Sequence, residues 1–101
     1  MRPIHVARLD KSRAVLVLTR ELVRPHLHTV TIAPITTTIR GLSTEMPCGP
    51  ANGLDDRCVI ACDHITTIPA RVLRQQIGRL LDEHEVDLTR AIHAAFDLDT
   101  I

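Results

Sequence analysis

The amino-acid sequence predicts an α+β fold that is mainly β, a small and strongly curved sheet or barrel with one helix packed at its end. Short apolar stretches separated by polar turns extend from residue 3 to residue 69 and are typical of β-strands. The pattern changes near the C-terminus, where residues 82–98 carry apolar side chains at helical spacing. Many short strands followed by a terminal helix favour this architecture.

Three strands are predicted in the first part of the chain. Residues 3–9 (PIHVARL) alternate loosely, residues 14–19 (AVLVLT) are strongly apolar, and residues 29–37 (TVTIAPITT) form the third strand. The short connection DKSR joins the first two strands, and a polar loop containing Pro25 follows the second. Pro34 has no N–H to donate, so this part of the third strand should lie at an edge, at a bulge or at a strand end.

Turns and shorter strands are predicted in the middle of the chain. A short strand follows a turn at Gly41 within residues 39–47, and residues 48–56 (CGPANGLDD) form a loop. Residues 57–68 (RCVIACDHITTI) hold one strand or two abutting strands. Pro69 then begins a turn.

The C-terminal region combines one ambiguous segment with one well-supported helix. Residues 71–81 (RVLRQQIGRLL) form either a helix or a short helix followed by a strand, because Gly78 disfavours one long helix. Residues 82–98 form a helix that Asp82 can cap, with Glu85 completing a capping box. The side chains expected to face the core are the apolar stripe and the single aromatic residue: Leu81, Leu88, Ile92, Ala95 and Phe96.

Length and composition predict one small domain, residues 1–101, with a core of aliphatic side chains. Apolar residues make up 45% of the chain, and so small a domain gains stability from association with a second copy. The first 50 residues carry seven basic and three acidic side chains, a net charge of +4, while the remainder carries −4. This asymmetry predicts either a basic functional face or an acidic surface helix. No transmembrane stretch or signal peptide is visible, so we expect a cytoplasmic protein without membrane contact.

A run of hydroxyl side chains beside a fixed positive charge ends the third strand. Thr36, Thr37 and Thr38 are followed by Arg40, and hydroxyls next to a guanidinium suit an anionic ligand. Threonine is also a common strand residue, so the run is equally typical of a solvated strand end.

The cysteines do not form a metal motif. Cys58 and Cys62 precede Asp63 and His64, but in an extended segment the two thiols lie about 13 Å apart at roughly 3.3 Å per residue. That separation is too large for one zinc ion. Three cysteines also do not suit a disulfide framework, and we expect buried free thiols.

Three segments in order resemble the MazF/PemK family of toxin endoribonucleases. They are RAVLVLTRE (13–21), TVTIAPITTTIRG (29–41) and CVIACDHITTI (58–68), followed by a C-terminal helix. The resemblance covers nearly the whole chain and implies an SH3-like curved barrel of the CcdB/MazF-like type. It also implies a homodimer whose groove is blocked by a small acidic, MazE-like antitoxin.

The resemblance further implies sequence-selective, ribosome-independent cleavage of single-stranded RNA with no metal ion and no cofactor. Arg13 matches the catalytic arginine of the family, and Thr36 matches its strand-terminal hydroxyl. A guanidinium can stabilise the charge that develops on phosphorus when the RNA 2′-hydroxyl attacks. The residues expected to bind RNA are Thr37, Thr38, Arg40 and His64.

Two departures from the family pattern keep alternatives open. Ala14 stands where a proline usually follows the arginine, and the LDKSR connection is much shorter than the glycine-rich loop of many relatives. The alternatives are a CcdB-like toxin that binds DNA gyrase, and a catalytically weak MazF-like protein that still binds its antitoxin.

Overall fold

The computed structural model describes residues 2–98 and confirms a mainly β fold with one C-terminal helix. The strands are β1 (Arg2–Arg8), β2 (Ser12–Val17), β3 (Thr29–Thr36), β4 (Glu45–Cys48), β5 (Cys58–Ala61), β6 (Thr66–Pro69) and β7 (Leu73–Leu80), and the helix is α1 (Glu85–Phe96). Short 3₁₀ helices at Arg24–His26, Pro50–Asn52, Cys62–His64, Ala70–Val72 and Asp82–His84 join them. Among these described residues, no helix is long and apolar enough to span a membrane.

β3 is the central strand of the sheet. The strands pair in the order β4-β5-β3-β2-β1-β7, and β6 also pairs with β3. All of these pairs are antiparallel. One edge of β3 binds β2, while its other edge binds β6 through its first half and β5 through its last two residues. The sheet therefore divides along β3.

The change of partner on β3 occurs at Pro34. Ile32 pairs with Thr66 of β6 and Ile35 pairs with Ile60 of β5, so residues 61–65 lie opposite only residues 33–34. Leu18 donates its N–H to the carbonyl of Thr31 across β2 and β3, and by antiparallel alternation the nitrogen of Pro34 faces away from β2. Pro34, which cannot donate, thus lies in the gap between the two pairings on this edge of β3, where its missing N–H leaves no ladder bond unmade.

Both faces of β2 are buried, which explains its unbroken apolar sequence. Leu16 packs in one cluster with Ile4, Ile60 and Leu88, under the helix. Its neighbours Val15 and Val17 point to the other face and pack in a second cluster with Val30, Ile32 and Ile68. A strand buried on one face alternates apolar and polar residues, whereas a strand buried on both faces has apolar residues at successive positions, as β2 does.

The predicted capping box is wrong. Asp82 begins a 3₁₀ helix, α1 begins at Glu85, and no side chain caps the helix start. The Glu85 carboxylate instead accepts from Nε of Arg2, at 3.0 and 3.1 Å. Both partners of this bond are ionised, and it attaches the start of α1 to β1.

The predicted core position of Phe96 is also wrong. Leu88 and Ala91 are buried and face the sheet, but the Phe96 side chain is 54% exposed. At 100° per residue, Phe96 lies roughly 80° from Leu88 around the helix, at the margin of the apolar stripe. It is also the last helical residue. The core therefore contains no aromatic ring among residues 2–98.

The ambiguous segment 71–81 is mostly strand. Only residues 70–72 are helical, and β7 pairs with β1 along its length. Gly78 is required in β7 because a Cβ there would lie 1.8 Å from the carbonyl oxygen of Asn52. The loop after β4 therefore packs directly on the β7 backbone.

Substitution of Gly78 tests this close approach. We expect Gly78→Ala to lower the free energy of unfolding by about 1–3 kcal/mol or more, because backbone must move to admit the methyl group. Gly49→Ala is the matched control, since a Cβ there makes ordinary contacts of 3.7 Å. Urea unfolding of both variants measures the difference, and equal stabilities would contradict the close contact.

All three cysteine side chains are buried, as predicted from the sequence. Cys48 and Cys58 lie opposite each other on β4 and β5, with their sulfur atoms 2.8 Å apart. Burial, together with the neighbouring Cys58 thiol, raises the pKa of Cys48 well above its usual value. Burial, with a smaller effect of the Asp63 charge, raises the pKa of Cys62 to about 11.

The raised thiol pKa predicts a loss of stability at alkaline pH. The folded pKa of Cys62 exceeds its unfolded value, so its contribution is complete below about pH 9 and is lost as the pH rises towards 11. Two units correspond to roughly 2–3 kcal/mol. The chain has no tyrosine and one lysine, so few other groups titrate there. Urea unfolding from pH 8 to 11 should show a shallower decline in Cys62→Ala than in wild type; parallel curves would refute the assignment.

Candidate functional site

A cavity of ≈ 430 Å³ opens where β3 changes its partner, and it is called the β3 cavity below. Its lining comes from four parts of the chain: residues 9–13, residues 32–36, residues 38–45 and residues 61–66. The apolar lining residues are Leu9, Ile32, Pro34, Ile35, Leu42 and Ala61. The five residues that oppose only two of β3 thus form one wall of the cavity.

The β3 cavity brings together five of the six residues singled out from the sequence. These are Arg13, Thr36, Thr38, Arg40 and His64. Thr37 is exposed and does not line the cavity. β3 ends at Thr36 and the chain bends at Thr37, and this bend leaves Thr36 and Thr38 on the lining with Thr37 outside it.

Arg13 is held by a carboxylate that the sequence analysis missed. Nε of Arg13 lies 3.4 Å from Oδ1 of Asp10, and the same oxygen accepts the backbone N–H of Lys11 at 2.9 Å. The hydrogen bond from Arg13, followed by that from Lys11, lowers the pKa of Asp10. The terminal guanidinium N–H groups stay available for a ligand. An aspartate three residues before the arginine, in a tight turn, was the available signal.

The hydroxyl of Thr36 is oriented by the backbone that follows it. The N–H of Thr38 donates to Oγ1 of Thr36 at 3.1 Å, a local bond that turns the chain out of β3. Because the oxygen acts as acceptor in this bond, its own hydrogen remains available to donate. Thr36 can therefore offer a hydrogen bond to an anion in the cavity.

Two further carboxylates line the cavity and were also missed. Glu45 accepts the backbone N–H groups of Arg40 and Leu42, and Asp63 accepts the hydroxyl of Thr44 at 2.6 Å. The charged lining residues are thus two arginines and two acids, apart from His64. The basic face predicted from the charge asymmetry is not found at this cavity, where the positive charges are local.

The cavity offers no obvious metal centre. Within residues 2–98, no three His, Cys, Asp or Glu side chains are arranged to hold a metal ion. What the cavity does combine is a guanidinium with free N–H groups, an orienting carboxylate and a strand-terminal hydroxyl beside apolar walls. This set can bind a phosphate group and an attached planar ring.

Comparison with known proteins identifies relatives over the whole chain. A family model described as the PemK-like, MazF-like toxin of type II toxin–antitoxin systems matches residues 4–96. The chain is 58% identical to endoribonuclease MazF3 of Mycobacterium tuberculosis over 101 residues, which is 100% of this chain and 98% of that protein.

Solved structures share the fold. The Mycobacterium tuberculosis toxin MazF-mt6 is 59% identical, with a TM-score of 0.94 over 97% of this chain and 99% of that one. An endoribonuclease from mycobacterial species, solved with its cognate antitoxin, has a TM-score of 0.87 at 21% identity, over 98% of this chain and 95% of that one. These likenesses agree with the predicted CcdB/MazF-like fold.

The Arg13–Asp10 pair predicts an unusual titration of Asp10. Because the pKa of Asp10 is lowered, the ion pair contributes fully at any pH above the ordinary aspartate pKa. Its contribution is lost as the pH falls through the lowered pKa of the folded protein. We expect Arg13→Ala to raise the pKa of Asp10 towards the ordinary aspartate value, and carboxyl ¹³C NMR measures this shift. Arg90→Ala is the control, because Arg90 pairs with Asp87 at the same spacing on α1. An unchanged Asp10 titration in Arg13→Ala would contradict the pair.

Proposed function

The chain belongs to the PemK-like, MazF-like toxins of type II toxin–antitoxin systems and is an endoribonuclease, and we propose that it cuts single-stranded RNA in the β3 cavity. The observation that carries this assignment of the site is the convergence of Arg13 and Thr36 on one cavity. In this proposal cleavage is sequence-selective and independent of the ribosome. It uses no metal, because the RNA supplies its own nucleophile.

The proposed reaction is an internal transfer at phosphorus. The 2′-hydroxyl loses its proton as its oxygen attacks the adjacent phosphorus. The bond from phosphorus to the 5′-oxygen breaks, and the leaving 5′-oxygen gains a proton. The products are a 2′,3′-cyclic phosphate and a 5′-hydroxyl. Arg13 donates its terminal N–H groups to the charge that develops on the phosphate oxygens, and Thr36 donates its hydroxyl to a non-bridging oxygen.

Asp10 is a positioning residue in this proposal. Its contact with Nε of Arg13 leaves the terminal N–H groups unpaired by that bond and restricts the side chain before RNA binds. Loss of the Asp10 carboxylate would remove this orienting contact but leave the Arg13 guanidinium in place. The effect of Asp10 on cleavage therefore passes through Arg13.

The RNA strand would pass Arg13, Thr38, Arg40 and His64, which line the cavity, and Thr37, which lies outside its lining, would contact the strand from the exposed surface. Arg40 supplies a phosphate contact, and His64 supplies an imidazole that can hydrogen-bond a base edge. The single aromatic residue, Phe96, is on α1 and does not line the cavity. Unstacked bases would rest on the apolar lining and on arginine planes, and affinity would fall steeply with salt.

We further propose a homodimer in the cytoplasm that is silenced by a cognate MazE-like antitoxin. The family is defined by a toxin paired with an antitoxin, and one solved structure with the same fold contains such a complex. An acidic segment of the partner can compete with RNA for Arg13 and Arg40.

The alternatives considered from the sequence are not favoured. Two relatives at 58–59% identity are described as an endoribonuclease and as a MazF toxin, which favours the enzyme over a gyrase-binding protein. The short LDKSR connection gave reason to consider a weak enzyme. However, the alignment with endoribonuclease MazF3 covers 100% of this chain and 98% of that protein, so that relative has nearly the same length and no long additional loop.

Cleavage of a long single-stranded RNA in EDTA tests the proposal. We expect wild type to cut at a few recurring motifs and Arg13→Ala to be slower by roughly 10²–10³-fold, because one preorganised charge donor is lost. Arg90→Ala, which removes an arginine of the same i,i+3 pairing on α1, should cut normally. Mapping of 5′ ends gives the motif and shows whether they carry hydroxyls.

The contrary outcomes are distinct. If the folded Arg13→Ala protein cuts as fast as wild type, the catalytic assignment is wrong although the enzyme class stands. If EDTA stops the wild-type reaction and added magnesium restores it, the metal-free mechanism is wrong.

A further inference from the structure

The segment between β3 and β4 supplies much of the cavity wall but has no regular secondary structure. Residues 37–44 contribute Thr38, Arg40, Leu42 and Thr44 to the lining. Arg40 and Leu42 are both exposed. Their positions therefore depend on hydrogen bonds made by the backbone of this segment.

One carboxylate makes most of those bonds. Oε1 of Glu45 accepts the N–H of Arg40 at 3.1 Å and that of Leu42 at 3.1 Å, and Oε2 lies 3.3 Å from the Arg40 nitrogen. The N–H of Glu45 in turn donates to the carbonyl of Leu42 at 3.0 Å. Glu45 is the first residue of β4, so the carboxylate attaches the turn to the edge of the sheet.

The turn is shaped to surround an anion. Gly41 has φ of +75°, a left-handed conformation between the two donating residues. Backbone N–H groups that converge around such a residue form a concave anion site. A Cβ at Gly41 would meet no atom within 4 Å, so glycine is needed there for its φ and not for space. The anion that fills this site is the chain's own carboxylate.

We propose that Glu45 is a positioning residue for Arg40, holding the 40–42 turn so that the guanidinium faces the RNA strand. This inference rests on the proposed function of the β3 cavity. Glu45 acts through the backbone N–H of Arg40 and leaves its side chain free. Within residues 2–98, the Arg40 guanidinium has no ion-pair partner, and it can accept a phosphate.

The mechanism predicts a specific kinetic signature. Arg40 binds the strand away from the reacting phosphorus, so loss of its position should raise KM and leave kcat nearly unchanged. We expect Glu45→Ala and Arg40→Ala each to raise KM about tenfold, the size of one charged hydrogen bond. Glu45→Gln keeps a carbonyl oxygen that can accept both N–H groups, and it should restore most of the affinity.

A double-mutant cycle separates positioning from a general structural role. If Glu45 acts through Arg40, the Arg40→Ala/Glu45→Ala protein should have the KM of Arg40→Ala alone, within about twofold. Glu83→Ala is the matched control, because Glu83 is exposed on the 3₁₀ helix before α1 and lies outside the cavity. Amide hydrogen exchange at residues 40 and 42 should be faster in Glu45→Ala and unchanged in Glu83→Ala.

Binding of a fully 2′-O-methylated RNA, which cannot react, measures affinity independently of cleavage. A tenfold weaker affinity in Glu45→Ala, with partial recovery in Glu45→Gln, supports the proposal. Unchanged KM and affinity, or a double variant much weaker than either single one, would overturn it. If Arg13→Ala alone loses cleavage while Glu45→Ala is normal, only this inference fails. If Arg13→Ala cuts normally, the proposed catalytic site fails separately.

Discussion

The hydrogen-bonding edge of a single strand is the constraint on which the site depends. β3 offers one edge to both β6 and β5, and each can occupy only part of it. Residues 61–65, which connect β5 to β6, therefore lie opposite only two residues of β3. One of these two is Pro34, which has no backbone N–H that the gap would leave unpaired. The cavity is the space that this mismatch leaves beside β3. A continuous pairing of β3 with one partner would close it.

The same constraint explains why the site draws on distant parts of the sequence. Arg13 comes from β2, on the opposite edge of β3, and Thr36 comes from the end of β3 itself. Asp63 and His64 belong to the bulging connection, and Glu45 begins β4. Each of these residues lies in a paired strand or within two or three residues of one. The sheet therefore fixes their positions, although several of them belong to irregular turns.

The pattern of apolar residues was enough to predict the earlier strands and the helix, because burial of β2 on both faces leaves a strong signal in AVLVLT. It left β7 ambiguous, because LRQQIGRL has few apolar residues and no clear period. The resemblance supplied Arg13 and Thr36. Asp10 and Glu45 were missed because their roles depend on which amide or guanidinium a turn brings near a carboxylate, and no periodicity encodes that. The capping box failed for a related reason: Arg2, 83 residues away, binds Glu85. Local rules cannot anticipate a competing partner from the other end of the chain.

The tether between Asp10 and Arg13 has a consequence for the entropy of binding. A free arginine side chain carries about 2 kcal/mol of rotamer entropy, which is lost when it grips a phosphate. Here a contact at Nε already restricts the side chain during folding, so less of that loss falls on RNA association. The Arg13 side chain therefore has fewer conformations to lose when RNA binds, and a ligand of modest size can bind it without first ordering the turn.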